Sequence, residues 1–191
     1  DRSLPSVKAA YIIATSLSDG QPHYFDALQL TDVRLRQVMK ATAYAPLLTR
    51  QVQRIDGVLY GDGAITDAIP YMRAITDGCS HIICLLTRSP DYRKGRGTFL
   101  SHFLKRARLQ SHTEAYRTAY WNGEAAYNHA MDTIYGSTSN LPPMLIISPS
   151  NRSEYPGNLE TNPISLQHFG LTSYNNAINQ LTLLFPNRTP I

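Results

Sequence analysis

IDGVLYGDGAITDAIP, from Ile55 to Pro70, is the stretch on which the reading of the chain turns. Val58 to Tyr60 has the character of a strand end, Gly61 to Gly63 makes a tight turn around Asp62, and Pro70 suits the first turn of a helix. That helix is expected to reach Thr76 and to stop at Gly78. His81 to Leu86, HIICLL, is apolar on both parities, the pattern of a central parallel strand covered on both faces. Strand, helix and strand in this order predict a right-handed βαβ unit.

Upstream, Ala9 to Thr15 reads as a buried strand, and Ser18, Asp19 and Gly20 supply a turn from which His23 to Phe25 returns. Thr31 is placed to cap a helix that carries Val33, Leu35, Val38, Met39 and Ala43 at helical spacing and ends before Pro46. Downstream, Ser111 and Glu114 have capping-box spacing for a long helix whose stripe is Tyr116, Tyr120, Tyr127, Met131 and Ile134. That stripe reads as a core face. After a polar loop from Gly136 to Pro143, Met144 to Ile147 forms a last buried strand. Asn162 and Pro163 begin a short helix ending near Gly170, and Thr172 or Ser173 caps a final one to Leu184. The alternation of strands and helices makes the class α/β.

At 191 residues, with 42% hydrophobic and 17% charged side chains, the chain has the composition of one globular domain or part of one. The formal charge is +4, and seven of the 18 basic residues cluster between Arg88 and Arg108 against the single acid Asp91. These are Arg88, Arg93, Lys94, Arg96, Lys105, Arg106 and Arg108. The bland role of such a cluster is a solvated face; its functional role is attraction to an anionic membrane surface. It lacks the aromatic interleaving and the signatures of RNA- or DNA-binding modules, so nucleic acid is not an expected partner. Cys79 and Cys84 form no CxxC pair, which argues against a disulfide framework or zinc site and fits a reduced, cytoplasmic setting. His81 opens a strand, while His102, His112, His129 and His168 fall on expected helices without HExxH spacing, so no metal and no cofactor is expected. No apolar run reaches membrane-span length, and there is no signal-peptide pattern.

Asp62 stands between two glycines at a strand end, where ligand sites of open α/β sheets lie. On local chemistry alone Asp-Gly is foremost a turn dipeptide, and Asp56-Gly57 shows how readily it occurs. The wider order of segments adds to this. ATSLSDGQPHYF (Ala14 to Phe25), KATAYAPLL (Lys40 to Leu48), IDGVLYGDGAITDAIPYMRAITDG (Ile55 to Gly78) and HIICLLTRSPDYRK (His81 to Lys94) follow one another as in the patatin-like phospholipases. The chain most resembles the bacterial branch, which continues with a basic segment, a helix similar to RTAYWNGEAAYN and a late strand ending as in ISPS.

This resemblance implies a three-layer α/β/α fold with a mainly parallel sheet, of which the chain is the C-terminal portion. Residues 1–87 would be the half of the core with the dyad Asp, and 88–191 the basic segment and helical region with one late strand. It implies a Ser-Asp dyad that cleaves lipid acyl esters, with Asp62 as the dyad Asp and Gly61, Gly63 and Ala64 shaping its site. Ala64 stands where the family often has a second glycine, and Thr42 where it often has serine. The family's serine lies in GxSxG and its oxyanion hole in a glycine-rich loop, both upstream of the matched region. Neither occurs here, so this chain alone is expected to be inactive, and an exposed sheet edge is expected to drive self-association. The alternatives are a noncatalytic patatin-like scaffold and a module that binds lipid surfaces through Arg88 to Arg108.

Overall fold

The computed structural model describes residues 7–44, 52–95, 99–136, 141–150 and 160–184, with the side chains of 99–102 and 183–184 excepted. The chain forms two compact units, one of residues 1–69 and 94–129, the other of 70–93 and 130–191. Arg96, residues 45–48 of the KATAYAPLL stretch and part of the loop before Met144 lie outside the described residues.

The first unit is built on a four-stranded sheet in the order β2-β1-β4-β3, from β1 (Tyr11–Ser16), β2 (Pro22–Asp26), β3 (Gln53–Ile55) and β4 (Val58–Asp62). Every pairing in it is antiparallel. The expected hairpin at Ser18–Gly20 is present: Gly20 N–H donates to the Ser16 carbonyl at 2.9 Å, with Gly20 at φ 68°. Asp56 and Gly57 are also a hairpin turn, at φ 49° and 82°, which joins β3 to β4 with Ile55 opposite Val58. Two successive positive φ values are what a two-residue turn needs to match strand twist.

That turn corrects the expected βαβ unit. Val58 to Tyr60 is the return arm of a hairpin, so it pairs with β1 and β3 and makes no parallel pair with the strand after the next helix. In the second unit α2 (Tyr71–Thr76) leads to β5 (Ile82–Leu85), which pairs in parallel with β6 (Met144–Ile147). The molecule is mixed α/β, and among the described residues the larger sheet is antiparallel, against the expectation of a mainly parallel one. β5 is also not covered on both faces: Ile82 and Cys84 are buried, whereas Ile83 is 60% and Leu85 73% exposed.

The faces of the four-stranded sheet are covered separately. On one, α1 (Asp32–Thr42), capped by Thr31, packs Val38 and Ala41 onto Ala14, Phe25 and Tyr60. On the other lie Leu17, Ile65, Leu109 and Tyr116, the last two from α3 (Phe99–Leu109) and α4 (Glu114–Tyr135). The cap of α4 is Thr113 rather than Ser111. Its Oγ1 accepts from Tyr116 N–H at 3.2 Å and donates to the Leu17 carbonyl at 2.6 Å, so one hydroxyl both starts the helix and ties it to the end of β1. The expected stripe is internal: Tyr116, Tyr127, Met131 and Ile134 are buried. The two expected C-terminal helices are one, α5 (Pro163–Leu184), capped by Asn162. Gly170 lies inside it, at the cost of about 1 kcal/mol that a helical glycine carries.

Candidate active site around Asp62

Backbone packing fixes Asp62 before its carboxylate is considered. It ends β4 opposite Ala14, and its carbonyl accepts from Thr15 Oγ1 at 2.6 Å. Thr15 Oγ1 lies 2.9 Å from Thr66 Oγ1, which links the strand end to the residue closing the next turn. Residues Gly63–Ile65 form a 3-10 turn that Asp62 caps, its Oδ1 accepting from Ala64 N–H at 2.9 Å. The turn reading and the functional reading of Asp62 therefore concern the same carboxylate, with one oxygen engaged in the turn.

Of the two glycines beside Asp62, Gly63 is required by close approach of backbone and Gly61 is tightly surrounded by side chains. A Cβ on Gly63 would stand 2.2 Å from the Ile13 carbonyl oxygen, and one on Gly61 would meet Tyr44, Tyr116 Oη and Leu17 at 3.0–3.2 Å. Gly123 of α4 passes so near Ile65 that a Cβ there would lie 2.6 Å from its carbonyl oxygen. α4 is thus pressed directly against the turn that carries Asp62. Ala64 is exposed and meets the carboxylate through its backbone N–H.

The electrostatics follow from this packing. Burial pushes the Asp62 carboxyl above its ordinary value, and the Ala64 N–H and the charge of Lys94 pull it back. Burial likewise lowers Lys94, opposed by the attraction of Asp62 and then Glu124. The two directions agree: each loses more by desolvation than it regains from the other. Lys94 is held by a two-point clamp, its N–H donating to Asn128 Oδ1 at 2.8 Å and its carbonyl accepting from Asn128 Nδ2 at 2.9 Å. Its ammonium lies 4.6 Å from the Tyr127 ring centroid. Burial also raises Tyr116 and Tyr120, with Asp62 contributing to both, and the fully buried Tyr116 hydroxyl has no hydrogen-bond partner among the described residues.

Sequence reasoning placed Lys94 with the surface charges and Tyr116 with the core. The structure puts both in the electrostatic environment of Asp62. Nothing in the sequence singles out Lys94 from Arg93 and Arg96 beside it, since Asn128 and Tyr127 are more than 30 residues away and their convergence is a tertiary fact. The remaining basic residues are dispersed. Arg93 bridges Asp132 at 2.6 Å, Lys105 approaches Glu124 at 3.9 Å, Arg88 stacks on Tyr92, and Arg106 and Arg108 are exposed on α3. Among the described residues no group of His, Cys, Asp and Glu is arranged to hold a metal ion, and no helix is long and apolar enough to cross a membrane. Cys79 is exposed and Cys84 buried in β5, and both are free thiols. Comparison with protein-family models, with curated proteins and with solved structures gives no match to this chain.

Proposed function

We propose that this chain carries the aspartate half of a patatin-like serine acyl hydrolase, within a three-layer α/β/α fold, and that Asp62 is the dyad base acting on lipid acyl esters. The observation that carries the reading is the placement of Asp62: a strand-end carboxylate between two closely packed glycines, of which Gly63 admits no side chain, desolvated, and balanced by Lys94. A carboxylate of ordinary pKa is a weak base near neutrality; desolvation moves it toward the operating pH, where a base works best.

The serine comes from outside this sequence. Its hydroxyl oxygen attacks the acyl carbon while the proton passes to Asp62 Oδ2, the oxygen not engaged by Ala64 N–H. That proton then goes to the departing alkoxide, leaving an acyl-serine; water attacks the acyl carbon as Asp62 takes its proton, the bond to the serine oxygen breaks to release the fatty acid, and the proton returns from Asp62 to the serine oxygen. Lys94 keeps Asp62 ionised for the first step, since the uncompensated carboxylate would be protonated further.

The test uses the translated product that joins this chain to its upstream coding region. Asp62→Asn is expected to lower kcat on a short acyl ester by about a thousandfold or more while the fold is retained. Parental rates in that variant remove Asp62 from the mechanism, and an upstream region without GxSxG removes the hydrolase reading altogether. A second reading, attachment to anionic lipid surfaces, is favoured by α3, where Phe103 is 63% and Leu104 52% exposed beside Arg106 and Arg108. Exposed apolar and cationic side chains on one short helix are what an interfacial helix presents to headgroups.

A further inference from the structure

A cavity of about 530 Å³ opens in the first unit between the β1–β2 turn, the β3–β4 turn and the loop before α4. Its size is within the range of roughly 300–1,000 Å³ that accommodates a small ligand. Asp62 does not line it, although Leu17 and Tyr44 of its wall also flank Gly61. The cavity takes in Gly57, Val58 and Leu59 at the start of β4, and Asp62 ends that strand. At about 3.3 Å per residue, Val58 and Asp62 are about 13 Å apart along it.

The lining divides by chemistry. Leu17, Val52 and Leu59 with the ring of Tyr44 give an apolar wall, and Arg54 and His112 give a cationic and a hydrogen-bonding group at the rim. No acidic side chain is among the described residues that line it. Arg54 donates through Nη1 to the Gly57 carbonyl at 2.5 Å, which fixes the guanidinium at the β3–β4 turn with Nε and Nη2 outside that bond. The His112 ring is stacked on Tyr116 at 5.0 Å between centroids and 22° between planes, and its Nδ1 lies 3.4 Å from Ser111 Oγ. An oriented guanidinium beside an aliphatic wall, with no acidic side chain among the described lining residues, matches one kind of ligand.

We propose that this cavity binds a single-chain aliphatic amphiphile with an anionic head, the head on Arg54 and the chain against Leu17, Val52 and Leu59. The guanidinium makes paired hydrogen bonds to a carboxylate or phosphate. The proposal does not rest on the hydrolase reading.

The experiment is isothermal titration of the chain with dodecanoate, dodecyl phosphate and dodecyltrimethylammonium, each below its micelle concentration. One molecule of either anion is expected to bind per chain, the tighter of the two identifying the head, with the cation at least tenfold weaker. Arg54→Met, an exposed edge-strand change, is expected to weaken the anion about tenfold, Arg54→Lys less, and Asp62→Asn not at all. The proposal is overturned if the cation binds within twofold of the anions, if Arg54→Met leaves their affinity unchanged, or if neither anion binds at millimolar concentration. A loss of binding on Asp62→Asn overturns the separateness of the two sites.

Discussion

Asp62 is held where its charge is costly, and this has a consequence that can be measured without any substrate. Burial raises its carboxyl above 3.8, so between 3.8 and the higher folded value the native state binds more protons than the unfolded chain. Stability therefore falls as pH rises through that window, and the penalty is complete above the folded pKa. Asp62→Asn keeps an oxygen for Ala64 N–H and removes the ionisation. The variant is expected to be more stable than the parent near pH 7, with the difference shrinking as pH falls and vanishing below the unfolded value. Urea midpoints for both proteins across that range check it. An Asn variant that is less stable near neutrality would show that attraction to Lys94 outweighs the burial cost. At this scale the sequence was informative about position only: glycine, aspartate and glycine are visible in a row, but the need for Gly63 comes from Ile13, some 50 residues away.

At the scale of elements, local chemistry was legible and pairing was not. Thr31, Pro70, Gly78 and Asn162 do what their residue types dictate, because caps and stops are satisfied within a turn. Asp56-Gly57 is legible as a turn dipeptide, but that this turn makes β4 a hairpin arm, and so removes it from a parallel sheet, is a matter of pairing. Ser111 and Glu114 have the spacing of a capping box, but Thr113 takes the cap because Leu17 offers its hydroxyl a second partner. Helix α3 could be delimited only as a basic stretch; its exposed Phe103 and Leu104 are features of packing. Seated on a membrane, it should depend on its charges. Neutralisation of Arg106 and Arg108 to glutamine is expected to weaken binding to phosphatidylserine vesicles roughly thirtyfold, since each basic residue near such a surface contributes about 1 kcal/mol. Cosedimentation measures this, and unchanged partitioning would exclude α3 as the lipid contact.

At the scale of the molecule, the two units differ in how completely they cover their own sheets. The four-stranded sheet has α1 on one face and α3 and α4 on the other, and its core residues Ala14, Val38 and Ala41 are fully inaccessible. The β5–β6 pair is only two strands wide among the described residues, a size marginal by itself in water. Ile82 and Cys84 face inward, and Ile83 and Leu85 project from the opposite face. The run HIICLL is thus a strand with two apolar faces of which one is buried, and a sequence apolar on both parities cannot reveal which. Each such Ile or Leu side chain gains about 1.5–3 kcal/mol on full burial, so covering both in a second copy would contribute appreciably to association. The isolated chain is expected to self-associate at tens of micromolar in light scattering. Ile83→Thr with Leu85→Lys, both on the exposed face, is expected to shift it to monomer without altering the thermal transition. A parent chain that is already monodisperse and monomeric would show that this face is covered by the chain itself, and association that persists in the double variant would place the contact elsewhere.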